Sequence, residues 1–407
     1  MEATGKNFEE LTSTLAPIYN NAVRIVSGLL PSTPADAACV EAGVLPFRFK
    51  ATAALGCMAA SYIEKTSDQH QDQEVPLTTQ ANEALRTMIG ITLPPVLERH
   101  RNRARNWSAK PPKIDNYIKG RFKRGCNNSE VQAHFLDRTR TKYRIYNIRY
   151  TDGSKSLGRV GIGWCGSGFQ EFRSLPEQCS VFSAEAAALY QAILQQSDLI
   201  GPVLIASDSA SVIQAVQSED NKHPWIQAIQ MALDLNPDTT LMWIPGHCGI
   251  AGNEEADRCA NSGRESNMLT SKVPYHDVKR WIKNKTREAW SLCWYRERSL
   301  FARKVKSTTE AWEDRIDRRE QVILSRLRTG HTRVSHDMGG GGANFRKQCE
   351  SCNEHNSVEH FLYNCPASEN VRAMYGLGSI RSILQNDKSS EEALFCFLKD
   401  CDIYEEI

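Results

Sequence analysis

Apolar residues recur at Leu15, Ile18, Ala22, Ile25 and Leu29, the spacing of one helical face, and Leu30-Pro31-Ser32-Thr33-Pro34 ends that pattern. A second helix is expected over Pro46–Lys65. Residues 66–80 are polar and read as loop; residues 99–142 are basic, polar and weakly periodic, and read as a linker. From Tyr143 the pattern changes. Tyr143–Thr151 reads as a strand with Asp152 at its end, and Val160–Cys165 and Phe169–Arg173 read as two more strands around a Gly166-Ser167-Gly168 turn. Ser183–Gln196 has helical spacing, with Ser183 as its expected N-cap. A strand at Pro202–Ser207, helices at Ala210–Gln217 and Trp225–Leu235, a strand at Thr239–Ile244 and a helix at Ala251–Ser262 follow. The order βββαβααβα predicts an α/β fold, a mixed five-stranded sheet flanked by helices. After residue 270 the chain turns helical and charged to about Arg328, then passes through the flexible Gly339–Gly342 link to a short Cys/His cluster and a helical tail.

Within the strand-rich segment, four acids fall where strand or helix ends push side chains out of a packed core: Asp152, Glu185, Asp208 and Asp257. Any one of them alone reads as a cap or turn residue. Together they form a set of carboxylates that repel one another unless cations lie between them. Mg²⁺ prefers such hard oxygen ligands and keeps room for water and phosphate in its shell. Two such ions about 3.5–4 Å apart can activate a water and stabilise the leaving oxygen of a phosphodiester. If the strand ending at Asp208 pairs beside the strand ending at Asp152, the two acids become neighbours.

Composition narrows the setting. The chain has 407 residues, 41% hydrophobic and 24% charged, which suits a globular protein of several domains. Its net charge of +2 gives no global signal for nucleic acid. Arg99–Arg124 does so locally, with six Arg and four Lys against one Asp: a solvated linker or a polyanion-binding arm. No basic start followed by an apolar run opens the chain, and no stretch approaches the roughly 18 apolar residues of a membrane span. Thirteen cysteines, mostly scattered singly, fit a reducing intracellular compartment, nucleus or cytoplasm. The exception to that scatter is Cys349-x2-Cys352-x7-His360-x4-Cys365, whose three thiolates and one imidazole suit a structural tetrahedral Zn²⁺. His355 is an alternative nitrogen ligand. With little apolar sequence around it, metal would supply folding energy there.

One family accounts for the acids and their surroundings. Tyr150-Thr151-Asp152-Gly153-Ser154-Lys155, Ser183-Ala184-Glu185, Ser207-Asp208-Ser209 and the long run from Trp243 through Pro245-Gly246-His247-Cys248 to Asn253-Glu254-Glu255-Ala256-Asp257 resemble a type 1 ribonuclease H domain over residues 143–265. The resemblance implies a ribonuclease H-like sheet and endonucleolytic cleavage of the RNA strand of RNA–DNA hybrids, leaving 3′-hydroxyl and 5′-phosphate ends. It implies Asp152, Glu185, Asp208 and Asp257 as ligands of two Mg²⁺ ions, with Mn²⁺ as an alternative, and His247 as a mobile group aiding proton transfer or product release. Cys248 stands where many relatives carry Ser. The basic protrusion of some cellular relatives is not evident, so affinity would come from flanks such as 99–124. Gly153, Ser154 and Asn253 are the candidates for reading the RNA strand through its minor groove.

The flanks extend the resemblance. Arg328-Thr329-Gly330-His331 followed by the Cys/His pattern resembles the C-terminal part of the polyprotein of non-LTR retrotransposons of the jockey/R1-like kind. Ala22–Gly28, Ser32-Thr33-Pro34 and Val40–Pro46 resemble their join between reverse transcriptase and ribonuclease H. No Tyr/Phe-x-Asp-Asp polymerase signature is present. The expected organisation is a helical segment (1–98), a basic linker (99–142), the nuclease domain (143–265), a helical region with the glycine link (266–345) and a zinc-knuckle-like module with its tail (346–407). The expected partners are RNA–DNA hybrid and single-stranded nucleic acid, with no membrane. An inert nucleic-acid-binding module or a transposon relic is the alternative reading.

Overall fold

The computed structural model describes residues 8–66, 76–99, 111–121, 127–195, 201–312, 317–334, 348–384 and 387–407. The Gly339–Gly342 link and the basic positions Arg101, Arg103, Arg105, Lys110, Lys123 and Arg124 lie outside these residues. The chain divides into two units: Gly56–Glu83 with Ile91–Ile282, and Met1–Leu55 with Ala84–Gly90 and Lys283–Ile407.

The first of these units is built on a sheet of six strands: β1 (Lys113–Asp115), β2 (Asn147–Ser156), β3 (Arg159–Gly166), β4 (Phe169–Leu175), β5 (Val203–Ser207) and β6 (Thr239–Trp243). Their order is β1-β6-β5-β2-β3-β4, and the sheet is mixed. β2, β3 and β4 form an antiparallel meander, whereas β5, β6 and β1 run parallel to β2 or to one another. Helices α1 (Asn128–Thr141), α2 (Val181–Leu194), α3 (Ala210–Gln217), α4 (Pro224–Leu235) and α5 (Ala251–Gly263) surround it. The expected order of elements from β2 to α5 is present.

Three expectations for this unit need correction. The sheet has six strands rather than five, because Lys113–Asp115, inside the expected linker, pairs with Thr240–Met242. Three residues are too few to show an alternating period. The strand expected at Tyr143–Thr151 instead runs from Asn147 to Ser156, so Asp152 lies within it, opposite Gly163 of β3. The chain reverses only at Leu157 and Gly158, both with positive φ. The N-cap of α2 is Ser180, whose side chain accepts from the Ser183 N–H.

Small residues set how closely the helices approach. A Cβ at Gly153 would lie 2.5 Å from the Glu185 nitrogen, and one at Gly163 would lie 2.3 Å from that of Ala260. Both positions therefore need glycine. Gly163 pairs with Asp152, the neighbour of Gly153, so these two contacts put α2 and α5 on opposite faces of the sheet. Val131 and Phe135 of α1 join Leu204, Ala206 and Met242 in the core.

β1 is pinned to this unit by a buried acid. Asp115 is 5% exposed and accepts hydrogen bonds from Tyr143 Oη at 2.5 Å, Tyr117 N at 2.8 Å, Lys142 Nζ at 2.9 Å and Arg138 Nη2 at 2.9 Å. Burial alone would raise its pKa, but these donors outweigh it and hold the carboxyl well below the usual carboxylate range.

The second unit is helical. Phe49, Trp290, Trp294 and Ala302 form one core cluster. The Cys/His segment is not short of core: Val358, Phe361 and Leu362 pack with Leu324 and Leu327 of the helix Arg318–Thr329 and with Leu394 and Leu398 of the helix Lys388–Asp400. Those apolar partners lie 30 or more residues away in sequence, which is why the segment read alone looked bare. Gly330, in the left-handed region, caps the helix Arg318–Thr329. No helix among the described residues is long and apolar enough to cross a membrane.

Candidate active site

The last paired positions of the parallel strands β2 and β5 are Thr151 and Ser207. Asp152 and Asp208 follow them. Glu185 comes from the second turn of α2, whose backbone passes directly over Gly153. One carboxylate oxygen from each of Asp152, Glu185 and Asp208 lies within 4.8 Å of the others, and all three residues are half-buried. Asp257 of α5 stands outside this group of three but close enough for its charge to act on Asp152 and Asp208. Its Oδ1 accepts from Asn261 Nδ2 at 3.1 Å.

Burial and mutual repulsion set the ionisation of these acids. Burial, and then the charges of Asp208 and Asp257, push the Asp152 carboxyl up to about 8. Burial also raises Glu185 and Asp208. Carboxyls pushed upward together in this way, Asp152 most of all, are those a bound cation would relieve. The donor set, hard oxygens converging on one point, fits Mg²⁺ or Mn²⁺.

Neighbouring side chains orient these acids. The Ser209 hydroxyl donates to Glu185 Oε2, and Ser209 also caps α3 by accepting from Val212 N. Asn253 Nδ2 donates to Asp208 Oδ2 at 3.3 Å. Ser154 Oγ donates to Asn261 Oδ1 at 2.7 Å, which links β2 to the residue that holds Asp257. Of the three candidate RNA-reading positions, Gly153 faces the α2 backbone, Ser154 faces Asn261 and Asn253 faces Asp208. Ser209 and Asn261 are the residues that sequence reading missed. A serine directly before a helix signals a cap, but its reach to Glu185 depends on the packing of α2 beside β5.

His247 sits on the exposed loop between β6 and α5 with φ of 54°, near enough for its charge to lower Asp208 against the upward push of burial. The loop is tied down on both sides. Trp243 Nε1 donates to Asp208 O at 3.0 Å, Gln132 Nε2 donates to Cys248 O at 2.6 Å, and Gly249 N donates to Glu254 Oε1 at 3.2 Å.

A family model described as RNase H matches residues 146–265. This segment, which holds all four acids, is similar to the RNase H family. Among solved structures, a foamy viral protease-reverse transcriptase in complex with dsDNA is 24% identical, covering 30% of this chain and 95% of that chain, with a TM-score of 0.26. A foamy viral protease-reverse transcriptase in complex with RNA/DNA hybrid is 23% identical, covering 30% of this chain and 20% of that chain, also with a TM-score of 0.26. No curated protein matches the sequence.

The other unit holds a separate candidate metal centre. Donor atoms of Cys349, Cys352, His360 and Cys365 all lie within 4.8 Å of one another. The Cys349 and Cys365 sulfurs are 3.7 Å apart, and Cys352 Sγ is 3.3 Å from His360 Nε2. Metal–sulfur bonds of about 2.3 Å and metal–nitrogen bonds of about 2.0 Å at tetrahedral angles put such atoms about 3.8 and 3.5 Å apart. The observed spacing therefore suits one tetrahedral ion and is far too long for a disulfide. The exposed His355 lies outside the group; its backbone bridges Gln348 in the turn that presents Cys349 and Cys352. Burial opposes ionisation of the Cys349 thiol, but His360 and the backbone N–H groups of Ser351 and Cys352 outweigh it and bring the thiol down to about 6.

Proposed function

We propose that this protein hydrolyses the RNA strand of RNA–DNA hybrids at the cluster formed by Asp152, Glu185, Asp208 and Asp257. The convergence of three carboxylates inside the segment similar to the RNase H family carries this reading. Two divalent ions, Mg²⁺ or Mn²⁺, would supply water activation and stabilisation of the departing oxygen. The four carboxylates hold those ions; Ser209, Asn253 and Asn261 keep the carboxylates aimed. Water adds to phosphorus and the bond to the 3′ oxygen breaks, so the products carry a 3′-hydroxyl and a 5′-phosphate. His247, on its exposed loop beside Asp208, moves a proton at the departing oxygen or assists product release. Of Gly153, Ser154 and Asn253, the half-buried Ser154 is the proposed side-chain contact to the sugar edge of the scissile strand; Gly153 and Asn253 are buried against α2 and Asp208 and support the site from behind.

The Cys/His centre is proposed to hold structural Zn²⁺. The flanking motifs support reading the chain as the C-terminal part of a non-LTR retrotransposon polyprotein, acting on nucleic acid in the nucleus or cytoplasm, with single-stranded nucleic acid as a second partner. The test is incubation of the full chain with a labelled RNA–DNA hybrid and Mg²⁺. Cleavage confined to the RNA strand, and lost in Asp152→Asn, is expected. An inert wild-type protein, or undiminished cleavage by the variant, overturns the reading; salt-sensitive binding without cleavage would make it a binding module.

A further inference from the structure

The RNase H match ends at residue 265, yet a residue beyond it reaches back to the helix that carries Glu185. Helix α6 spans Tyr275–Arg296, and its first turn contains Asp277, which is 2% exposed. Asp277 Oδ2 accepts from the backbone N–H of Ser180 at 3.0 Å and from the Ser183 hydroxyl at 2.5 Å. Ser183 Oγ also lies 3.1 Å from His223 Nε2. With its one hydrogen directed at Asp277, that hydroxyl can only accept from the imidazole, so His223 carries its proton on Nε2. His276, next to Asp277, stacks on the His223 ring at 6.1 Å.

Helix α2 does not need Asp277 as a cap. Ser180 already occupies that position, with its side chain accepting from Ser183 N. Asp277 adds a buried carboxylate to a finished cap, and does so from 97 positions further along the chain. It grips the helix at Ser180 and Ser183, and Glu185 is two residues on. The carboxylate end of Glu185 is held separately by Ser209. Backbone and side chain of this one acid are thus fixed from two different elements, while its sheet-side neighbour Gly153 leaves no slack between α2 and β2.

We infer that Asp277 is a positioning residue for Glu185: through Ser180 and Ser183 it sets where α2 starts, and so where the Glu185 carboxylate meets Asp152 and Asp208. This inference rests on the proposed nuclease function. It extends the working nuclease past residue 265 into the first turn of α6.

The experiment compares full-length wild type with Asp277→Asn and Ser183→Ala. It measures kcat and KM on an RNA–DNA hybrid, the Mg²⁺ concentration for half-maximal rate, Mn²⁺ affinity by calorimetry, and Tm. Expected for Asp277→Asn is a kcat lowered about tenfold or more, the order of effect that slight misplacement of a reacting group produces. KM should stay within about twofold, with weaker Mn²⁺ binding and a raised Mg²⁺ requirement; Ser183→Ala should move the same quantities less. A merely structural contact would lower Tm and leave Mn²⁺ affinity and the Mg²⁺ requirement unchanged, and that result overturns the inference. If wild type binds Mn²⁺ but cleaves nothing, the proposed function fails, and the Mn²⁺ titration of the variants still decides the role of Asp277.

Discussion

Thr151 pairs with Ser207 across the parallel strands β2 and β5, so Asp152 and Asp208 emerge side by side at the next step of each strand. Their closeness is written into the register of the sheet. A one-residue slip of β5 would turn Asp208 to the opposite face and dismantle the cluster.

Asp152→Asn should therefore do two opposite things. Cleavage should fall by at least about a hundredfold, since a site of this kind stands or falls with its charge. Without divalent ions, the variant should be the more stable protein. The folded-state pKa of Asp152, about 8, lies above the ordinary carboxylate value of 3.8, so its contribution is fully present only below that ordinary value and is lost progressively as pH rises through about 8. Tm measured in EDTA from pH 5 to 9 should fall with pH in wild type, and the difference from Asp152→Asn should widen toward the alkaline end.

Ser209→Ala removes the donor to Glu185 Oε2 and the cap of α3. Cap loss should cost about 1 kcal/mol. The larger effect belongs to catalysis: kcat should drop about tenfold while KM for the hybrid holds, because Ser209 touches the acid and not the nucleic acid. Steady-state kinetics on a labelled hybrid separates the two; a change confined to KM would contradict the assignment.

His223 is 7% exposed, and burial brings its pKa down to about 4; Asp277 opposes that shift and His276 adds to it. A depressed folded pKa means stability that is complete above the ordinary histidine value near 6.5 and is lost as pH falls toward about 4. Chemical denaturation at pH 7 and pH 5 should show wild type losing more stability than His223→Gln. Equal losses would mean that some other group governs the acid limb.

The purified chain should carry one tetrahedral ion at Cys349, Cys352, His360 and Cys365. Elemental analysis should find one zinc per chain, lost in Cys349→Ser and in His360→Ala but retained in His355→Ala. Chelation should lower Tm without unfolding the segment fully, because Val358 and Leu362 remain packed against Leu327 and Leu394. Random-coil behaviour of the segment after chelation would show that the apolar contacts cannot hold it alone.

Much of this was legible from side-chain order. Helical spacing marks α2 and α4, and short continuous apolar runs mark β5 and β6, which are buried on both faces of the sheet. Asp-Gly-Ser was misleading: it resembles a strand end, yet Gly153 is there to admit α2, and the strand continues through it. β1 was invisible because three residues show no period and its hold depends on Arg138, Lys142 and Tyr143, more than 20 positions away. The acids themselves could be named from sequence. Their supports could not: Ser209, Asn261 and Asp277 have ordinary local reasons to be where they are, and only the packing of distant elements brings them to the carboxylates.

β1 has a practical meaning for anyone cutting this chain. It occupies the outer side of β6, where backbone N–H and C=O groups would otherwise face solvent. A fragment started at residue 143 would keep Asp152, Glu185, Asp208 and Asp257 and bare that rim, offering Thr239–Trp243 as a template on which another copy could assemble. Handling such a fragment would become a question of colloidal behaviour before it became one of enzymology, and restoring residues from Pro111 onward is the direct remedy.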